Sequence, residues 1–273
     1  MTDWYTNAIF YELYLRAFQD GNADGHGDFA GLRSRLDYLQ WLGVDCVWLL
    51  PINASPLKDD GYDVASYYSL HPNYGLLEDF QMTVEEIHRR GMRLIVDMVM
   101  NHTSDQHPWF QASRESKTSP MRDFYVWSET PDKYKEARII FVDTEQSNWA
   151  YDGVSGEYFW HRFYSSQPDL NYDNPRVHEM MFDAVRFWLD MGIDGLSFML
   201  HEPIQVKKSD HVGRPVVDSF QAAVERTGKE RGYIIAFSFT KGAREEVARV
   251  KAEKGLDIQL VEVTTLCDAP PER

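Results

Sequence analysis

The stretch Asp20-Gly21-Asn22-Ala23-Asp24-Gly25-His26-Gly27-Asp28 alternates oxygen-bearing side chains with residues that tolerate tight curvature. That spacing lets several oxygens converge on a hard cation at about 2.3–2.6 Å, which is calcium chemistry. The glutamate of an EF-hand's twelfth position is missing, so a polar Asx-turn loop without metal is the competing reading. A second group, Asp59-Asp60-Gly61-Tyr62-Asp63, sets carboxylates beside an aromatic ring. Such a pairing suits a sugar, whose hydroxyls surround an apolar face, although a solvated acidic loop has the same composition. The third group, Asp97-Met98-Val99-Met100-Asn101-His102, closes an apolar run. There a histidine can donate to a hydroxyl while an aspartate orients it, or the two can form a satisfied core pair. Gln167-Pro168-Asp169-Leu170-Asn171 reads alone as no more than a turn.

The elements that must position these groups alternate between strand and helix. Residues 8–18 read as a strand, 30–42 as a helix with Leu32, Leu36, Leu39 and Leu42 at helical spacing, and 46–51 as a short buried strand. Met82–Arg90 is helical, and 93–100 is a continuous apolar strand interrupted only by Asp97. Such runs suit a parallel sheet covered on both faces. Residues 101–175 hold many aromatics and turn formers and no long helix, which implies an excursion with some β structure. Asn174-Pro175 starts a helix over 176–191 with Val177, Met181, Val185 and Leu189 on one face and Gly192 as its cap. A fourth strand begins near Ile193. The tail continues as strand 203–207, helix 215–228, strand 232–239, helix 241–254 and strand 257–265. The whole order is α/β.

Bulk properties narrow the partners. The 273 residues carry 28 Lys+Arg against 43 Asp+Glu, a formal net charge of −15. Residues 196–273 hold 12 of each sign, so the acidic excess lies entirely in 1–195. An acidic surface disfavours a polyanion, making a nucleic-acid partner unexpected, and suits a neutral ligand. No apolar run approaches the length of a membrane span and the first residues lack a signal peptide's pattern, so a cytoplasmic protein without a membrane partner is expected. Cys46 and Cys267 read as two free thiols in a reducing compartment.

Taken together, the motifs of residues 3–195 resemble the α-amylase superfamily, glycoside hydrolase family thirteen, and most of all its trehalose-synthase branch. The likeness is carried by Asp97–His102, by Gln167–Asn171, by Asp60-Gly61-Tyr62-Asp63, by the stretch from Asn101 to Phe110 and by Asp123–Ser128. It implies that 1–195 is the N-terminal half of a (β/α)8 TIM-type barrel, with a β-rich excursion over about 103–175 after the third strand. It implies that Asp60, Tyr62 and His102 line the subsite of the reacting glucose, and that Asp20, Asn22, Asp24, His26 (through its carbonyl) and Asp28 hold a structural calcium. The substrate would be a small sugar such as maltose or trehalose, interconverted in intact relatives by retaining glucosyl transfer.

The pattern breaks at Gly192-Ile193-Asp194-Gly195. A retaining glycosidase needs two carboxyl groups about 5–5.5 Å apart. The family's nucleophile follows the fourth strand in a Gly-Leu/Phe-Arg-x-Asp pattern. Here Gly195-Leu196 runs into Ser197-Phe198-Met199, so serine stands for the arginine and a thioether for the aspartate. The acid glutamate and late His-Asp blocks do not follow, and no motif supports Glu202 in their place. Turnover by this chain is therefore not expected. Residues 192–266 instead resemble restriction-endonuclease-like segments attached to some DNA methyltransferases, forming an unrelated α/β tail over 196–273. In that frame Asp194 and the pair Gln205 and Lys207 would be a PD-(D/E)xK-type site using magnesium. A chain joined at a tetrapeptide common to both frames, a chimera, is the expectation, with a magnesium-dependent nuclease fragment or a non-catalytic protein as alternatives.

Overall fold

The computed structural model describes residues 4–6, 8–199, 204–207, 211–227, 231–236 and 238–262. The chain divides into two compact units, one spanning Ala8–Met199 and the other containing Leu200–Arg273 with the first seven residues. Both are α/β.

The first unit opens with strand β1 (Phe10–Leu13), a single-turn helix α1 (Leu15–Phe18), helices α2 (Phe29–Ser34) and α3 (Leu36–Trp41), and strand β2 (Cys46–Leu49). A hairpin of β3 (Asn53–Ala54) and β4 (Ser66–Leu70) follows, then α4 (Leu77–Arg89) and β5 (Arg93–Val99). The excursion holds α5 (Pro108–Glu115), β6 (Trp127–Ser128), β7 (Trp149–Asp152) and β8 (Glu157–Trp160). Helix α6 (Pro175–Asp190) and strand β9 (Gly195–Met199) complete the unit. Strands β1, β2, β5 and β9 form one parallel sheet in that order, and β6, β8 and β7 form a small antiparallel sheet.

Two expected elements are divided in the structure. The run 8–18 is not one strand: the chain leaves the sheet after Leu13, where the Leu50 N–H donates to its carbonyl, and coils into α1 with Leu15 buried. The run 30–42 breaks at Arg35, whose φ of −112° and ψ of 4° interrupt the helix while its guanidinium donates to Gln19. The hairpin of β3 and β4 and the first turn of α4 were not visible as patterns. In α4 the Asp79 carboxylate accepts the Leu76 N–H, and Glu78 and Asp79 complement the helix N-terminus.

Helix α6 starts where Asn174 caps the Arg176 N–H and Pro175 occupies the first turn. Its buried face is Val177, Met181, Ala184 and Trp188, while Leu189 is 43% exposed. The expected face took steps of four residues, and each such step drifts by about 40° around a helix of 3.6 residues per turn. Alternating steps of four and three keep the stripe on the core. Gly192, with φ of 97°, ends the helix in the left-handed conformation.

The second unit is built from β10 (Ile204–Lys207), α7 (Arg214–Thr227), β11 (Arg231–Ala236), α8 (Lys241–Lys254) and β12 (Asp257–Glu262). The three strands are parallel in chain order. Val217, Phe220, Val224, Ile234, Val250 and Ile258 form its core. Gly232 lies under Phe220 and Val224, where a Cβ would come within 2.9 Å of both side chains, so helix and strand could not pack as closely with any larger residue. Helix α8 is capped by Thr240 and ends at Gly255 with φ of 71°. Glu202 and Cys267 lie outside the described residues.

Candidate functional site

The residues singled out by type and spacing collect at the carboxyl ends of the four-stranded sheet. Asp97, near the end of β5, is 3% exposed and accepts two hydrogen bonds. The Trp48 indole Nε1–H donates to one oxygen at 2.7 Å, and the Tyr62 hydroxyl donates to the other at 2.9 Å. Burial, followed by the Asp97 charge, pushes the Tyr62 phenol above its ordinary value, so it stays a neutral donor. A carboxylate with both oxygens engaged acts as an orienting group for Tyr62.

His102 is 2% exposed and is fixed by its two ring nitrogens. Nδ1 lies 3.2 Å from the Asn101 amide nitrogen, which can only donate, and Nε2 lies 3.2 Å from the Tyr62 carbonyl, which can only accept. The pairing selects the neutral tautomer protonated on Nε2. The same Asn101 amide donates to Asp169 at 3.0 Å. Phe163 stands edge-on to the His102 ring with centroids 5.0 Å apart. The structure thus brings Tyr62, Asp97 and His102 into one wall.

Asp60 lies near Tyr62 on the loop joining β3 and β4 and is exposed. It takes a φ of 48°, which aspartate tolerates better than most residues, and accepts the Tyr14 hydroxyl at 3.3 Å. Gly61 has φ of 106° and lies against Pro51, so this tight corner requires glycine. The loop is anchored by Asp63, fully buried, which accepts the Ser55 hydroxyl and the N–H groups of Lys58 and Asp59. Burial raises the Asp59 carboxyl, with Asp63 and Asp60 adding to the rise and the Gln167 amide opposing it by donating to Asp59 at 2.8 Å.

Gln167–Leu170 is more than a turn. It lies antiparallel along 101–105, with the Thr103 N–H donating to the Pro168 carbonyl, Leu170 to Asn101 and a bridge between His102 and Asp169. The sequence does not single out Trp48 and Phe163, and shows Gln167 within its motif without this role, because each reaches the site from a segment distant in sequence. The stacked pair Phe141–Tyr164, centroids 4.4 Å apart, extends the aromatic surface from Phe163.

The 20–28 loop follows β1 and is docked through its end, where the Gly27 and Asp28 N–H groups donate to the Arg16 and Gln19 carbonyls. A Cβ at Gly27 would fall 2.0 Å from the Leu15 carbonyl oxygen, so this approach depends on glycine. Asp20 accepts the N–H groups of Asn22, Ala23 and Gly25, and these bonds lower its carboxyl. Asp24 accepts from His26 and from the Asn22 amide, and Asp28 caps α2 through the Gly31 N–H at 2.6 Å. No three Asp, Glu, His or Cys side chains converge on a metal position among the described residues. A hard-cation site here would also draw on the Asn22 amide oxygen and the His26 carbonyl, and each loop carboxylate keeps unused lone pairs.

Asp194 sits at the opposite, amino end of β9. Its carboxylate accepts from Arg93 at 2.7 Å and from the Leu94 N–H at 2.9 Å, and meets His88 Nε2 at 2.7 Å. Gln205 and Lys207 lie on β10 in the other unit. At the carboxyl end of β9, Ser197 is in register with Asp97 and Met199 with Val99.

Comparison with known proteins agrees with this geometry. The family profile "Alpha amylase, catalytic domain" matches residues 12–220. The chain belongs to the α-amylase family. A second profile, "Restriction endonuclease", matches 182–269, and the two overlap across β9. Trehalose synthase/amylase of Mycolicibacterium smegmatis is 59% identical over 194 residues, covering 71% of this chain and 33% of its own. Trehalose synthase of Thermus thermophilus is 55% identical over 192 residues, 70% of this chain and 20% of its own. A mutant of trehalulose synthase MutB solved with Tris superposes with a TM-score of 0.68 at 45% identity, covering 72% of this chain and 35% of that one. The first part is therefore an α-amylase-family segment similar to trehalose synthases, and the chain spans between a fifth and a third of the length of these curated relatives.

Proposed function

We propose that Ala8–Met199 is the first four βα units of a TIM-type barrel and retains the wall of a small-sugar site without its nucleophile. The observation that carries this reading is Tyr62, held at its hydroxyl by Asp97 and at its carbonyl by His102, on the sheet whose strand β9 ends in Met199. Tyr62 and Phe163 offer an apolar surface backed by His102, while Asp60 and Asp59 offer acceptors for hydroxyls. A thioether at the end of β9 cannot form a glycosyl ester, so the site binds maltose or trehalose and does not turn them over. Titration of purified protein with maltose and trehalose, alongside a maltose-to-trehalose assay, tests both halves of the reading. Binding lost in Tyr62→Ala supports it, and robust turnover by this chain overturns it.

The 20–28 loop is proposed to take a structural calcium through Asp20, Asn22, Asp24, the His26 carbonyl and Asp28. The preformed Asx-turn network, which already holds these oxygens in one loop, supports this role. Cytoplasmic residence fits the buried free thiol of Cys46, and no described helix is long and apolar enough to cross a membrane.

The join near Gly192–Gly195 is proposed to be chimeric, supported by two different family profiles that overlap over residues 182–220. Single-read sequencing of genomic DNA across codons 185–205 decides it; an Arg-x-Asp continuation would identify an assembly error. The magnesium nuclease reading places Asp194, Gln205 and Lys207 in one site, yet Asp194 is already held by Arg93, His88 and the Leu94 N–H. Plasmid cleavage in magnesium, lost in Lys207→Ala, would revive it.

A further inference from the structure

A hollow of about 200 Å3 lies in the excursion, lined in part by the segment 131–149 and separate from the wall around His102. Its floor is the directly paired Trp149 and Trp160 of β7 and β8, with ring centroids 5.0 Å apart. Phe159 packs against Phe110 on one face of the small sheet, so its neighbour Trp160 faces the other. Tyr134 folds over this floor, parallel to Trp149 within 8° at 6.2 Å and edge-on to Trp160 at 5.3 Å. It remains 52% exposed and holds a φ of 56°, a left-handed conformation that an aromatic residue adopts only under constraint. The constraint is visible: the Trp149 indole donates to the carbonyl of Lys133, the preceding residue, at 2.8 Å.

The remaining lining is rich in donors. Lys133, Lys135, Gln146 and Ser147 border the hollow, and no aspartate or glutamate does. That composition stands out in a region that carries the whole acidic excess of the chain. Lys135 is paired with Asp132 at 2.7 Å, while Lys133 has no ion pair among the described residues. Sites for neutral sugars use carboxylates to accept hydroxyl protons, as Asp59 and Asp60 can in the other site. A donor-rich pocket with an aromatic platform favours a ligand rich in acceptors.

We propose that this hollow binds a single pyranose bearing an anionic group, of the hexose phosphate class, with the ring on Tyr134 and the anion at Lys133. The volume is on the scale of one hexose ring. The site is distinct from the maltose or trehalose wall and does not depend on that reading.

The test uses saturation-transfer NMR on the full chain with glucose 6-phosphate, glucose and inorganic phosphate as separate probes. Glucose 6-phosphate is expected to bind at least tenfold more tightly than either part alone, and excess maltose should leave its signal unchanged. Lys133→Met should weaken glucose 6-phosphate at least fivefold without changing glucose. Tyr134→Ala should abolish the signal and Tyr134→Phe should retain it, so loss of folding and loss of the platform are told apart. Displacement by maltose, equal binding of glucose and glucose 6-phosphate, or full binding by a folded Lys133→Met variant each overturns the proposal.

Discussion

The two units use the same parallel strand-and-helix construction, but they bury different things. In the first, Asp63, Asp97, Asn101, His102, Gln167 and Asp169 are all nearly inaccessible, and the Asn101 amide links His102 to Asp169. In the second, the described core is apolar, and Gln221 and Glu246 are its buried polar side chains among the described residues. Glu246 is tied to Arg249 and to Arg214 at 3.1 Å. Burying polar groups costs stability unless each is satisfied, and a satisfied set rigidifies the part of the fold that holds it. The proposed sugar site lies in the first unit, where these satisfied polar groups are concentrated.

The comparison can be broken most severely through the two cores. Trp188→Ala and Phe220→Ala should each cost about 3–5 kcal/mol in urea denaturation. Maltose binding should fail with the first and survive in folded protein carrying the second; loss with Phe220→Ala alone would refute the division of roles. Asp97→Ala should come next, at about 2–3 kcal/mol, because it strands the Trp48 and Tyr62 donors in a half-buried position. Its sugar binding should vanish even at temperatures where circular dichroism reports a native fold.

A smaller effect is expected with pH. His107 is buried, its Nδ1 accepts the Trp109 N–H, and burial lowers its pKa from 6.5 to about 3. A histidine depressed in the folded state contributes stability that is complete above the unfolded value and is lost as pH falls. Below pH 6.5 the first unit should lose about 1.4 kcal/mol per pH unit from this group. His107→Asn, which can still cap α5, should flatten that slope, and a melting series from pH 7.5 to 4.5 measures it. The smallest effect is calcium: millimolar calcium should raise the melting temperature by a few degrees, and Asp24→Ala should remove the shift. An unchanged melting point in wild type would refute the metal loop.

Much of this organisation is legible in the sequence because it is local. The apolar runs that became β2 and β5, the Asn174-Pro175 start of α6 and the Thr240 start of α8 each carry their own signal. The division of the expected helix at Arg35 was hidden because its cause is a contact with Gln19. The wall around His102 could be read from its motifs but not its closure, since Trp48, Phe163 and Gln167 reach it only after the chain has folded. The second unit's elements were legible, whereas their chemical use was not, because Gln205 and Lys207 share a common local pattern.

Asp194 gives the proposed join its tolerance. Three partners from α4 and β5 hold its carboxylate, and its own N–H donates to the Leu94 carbonyl, so β9 is clamped at its first turn of chain before the foreign-looking residues begin. Ser197, Phe198 and Met199 then need only supply backbone hydrogen bonds to follow the register that Asp194 has set. A strand aligned from its starting end can accept almost any β-forming continuation, which makes this position a natural grafting point. New sequence attached there inherits an alignment it did not have to encode.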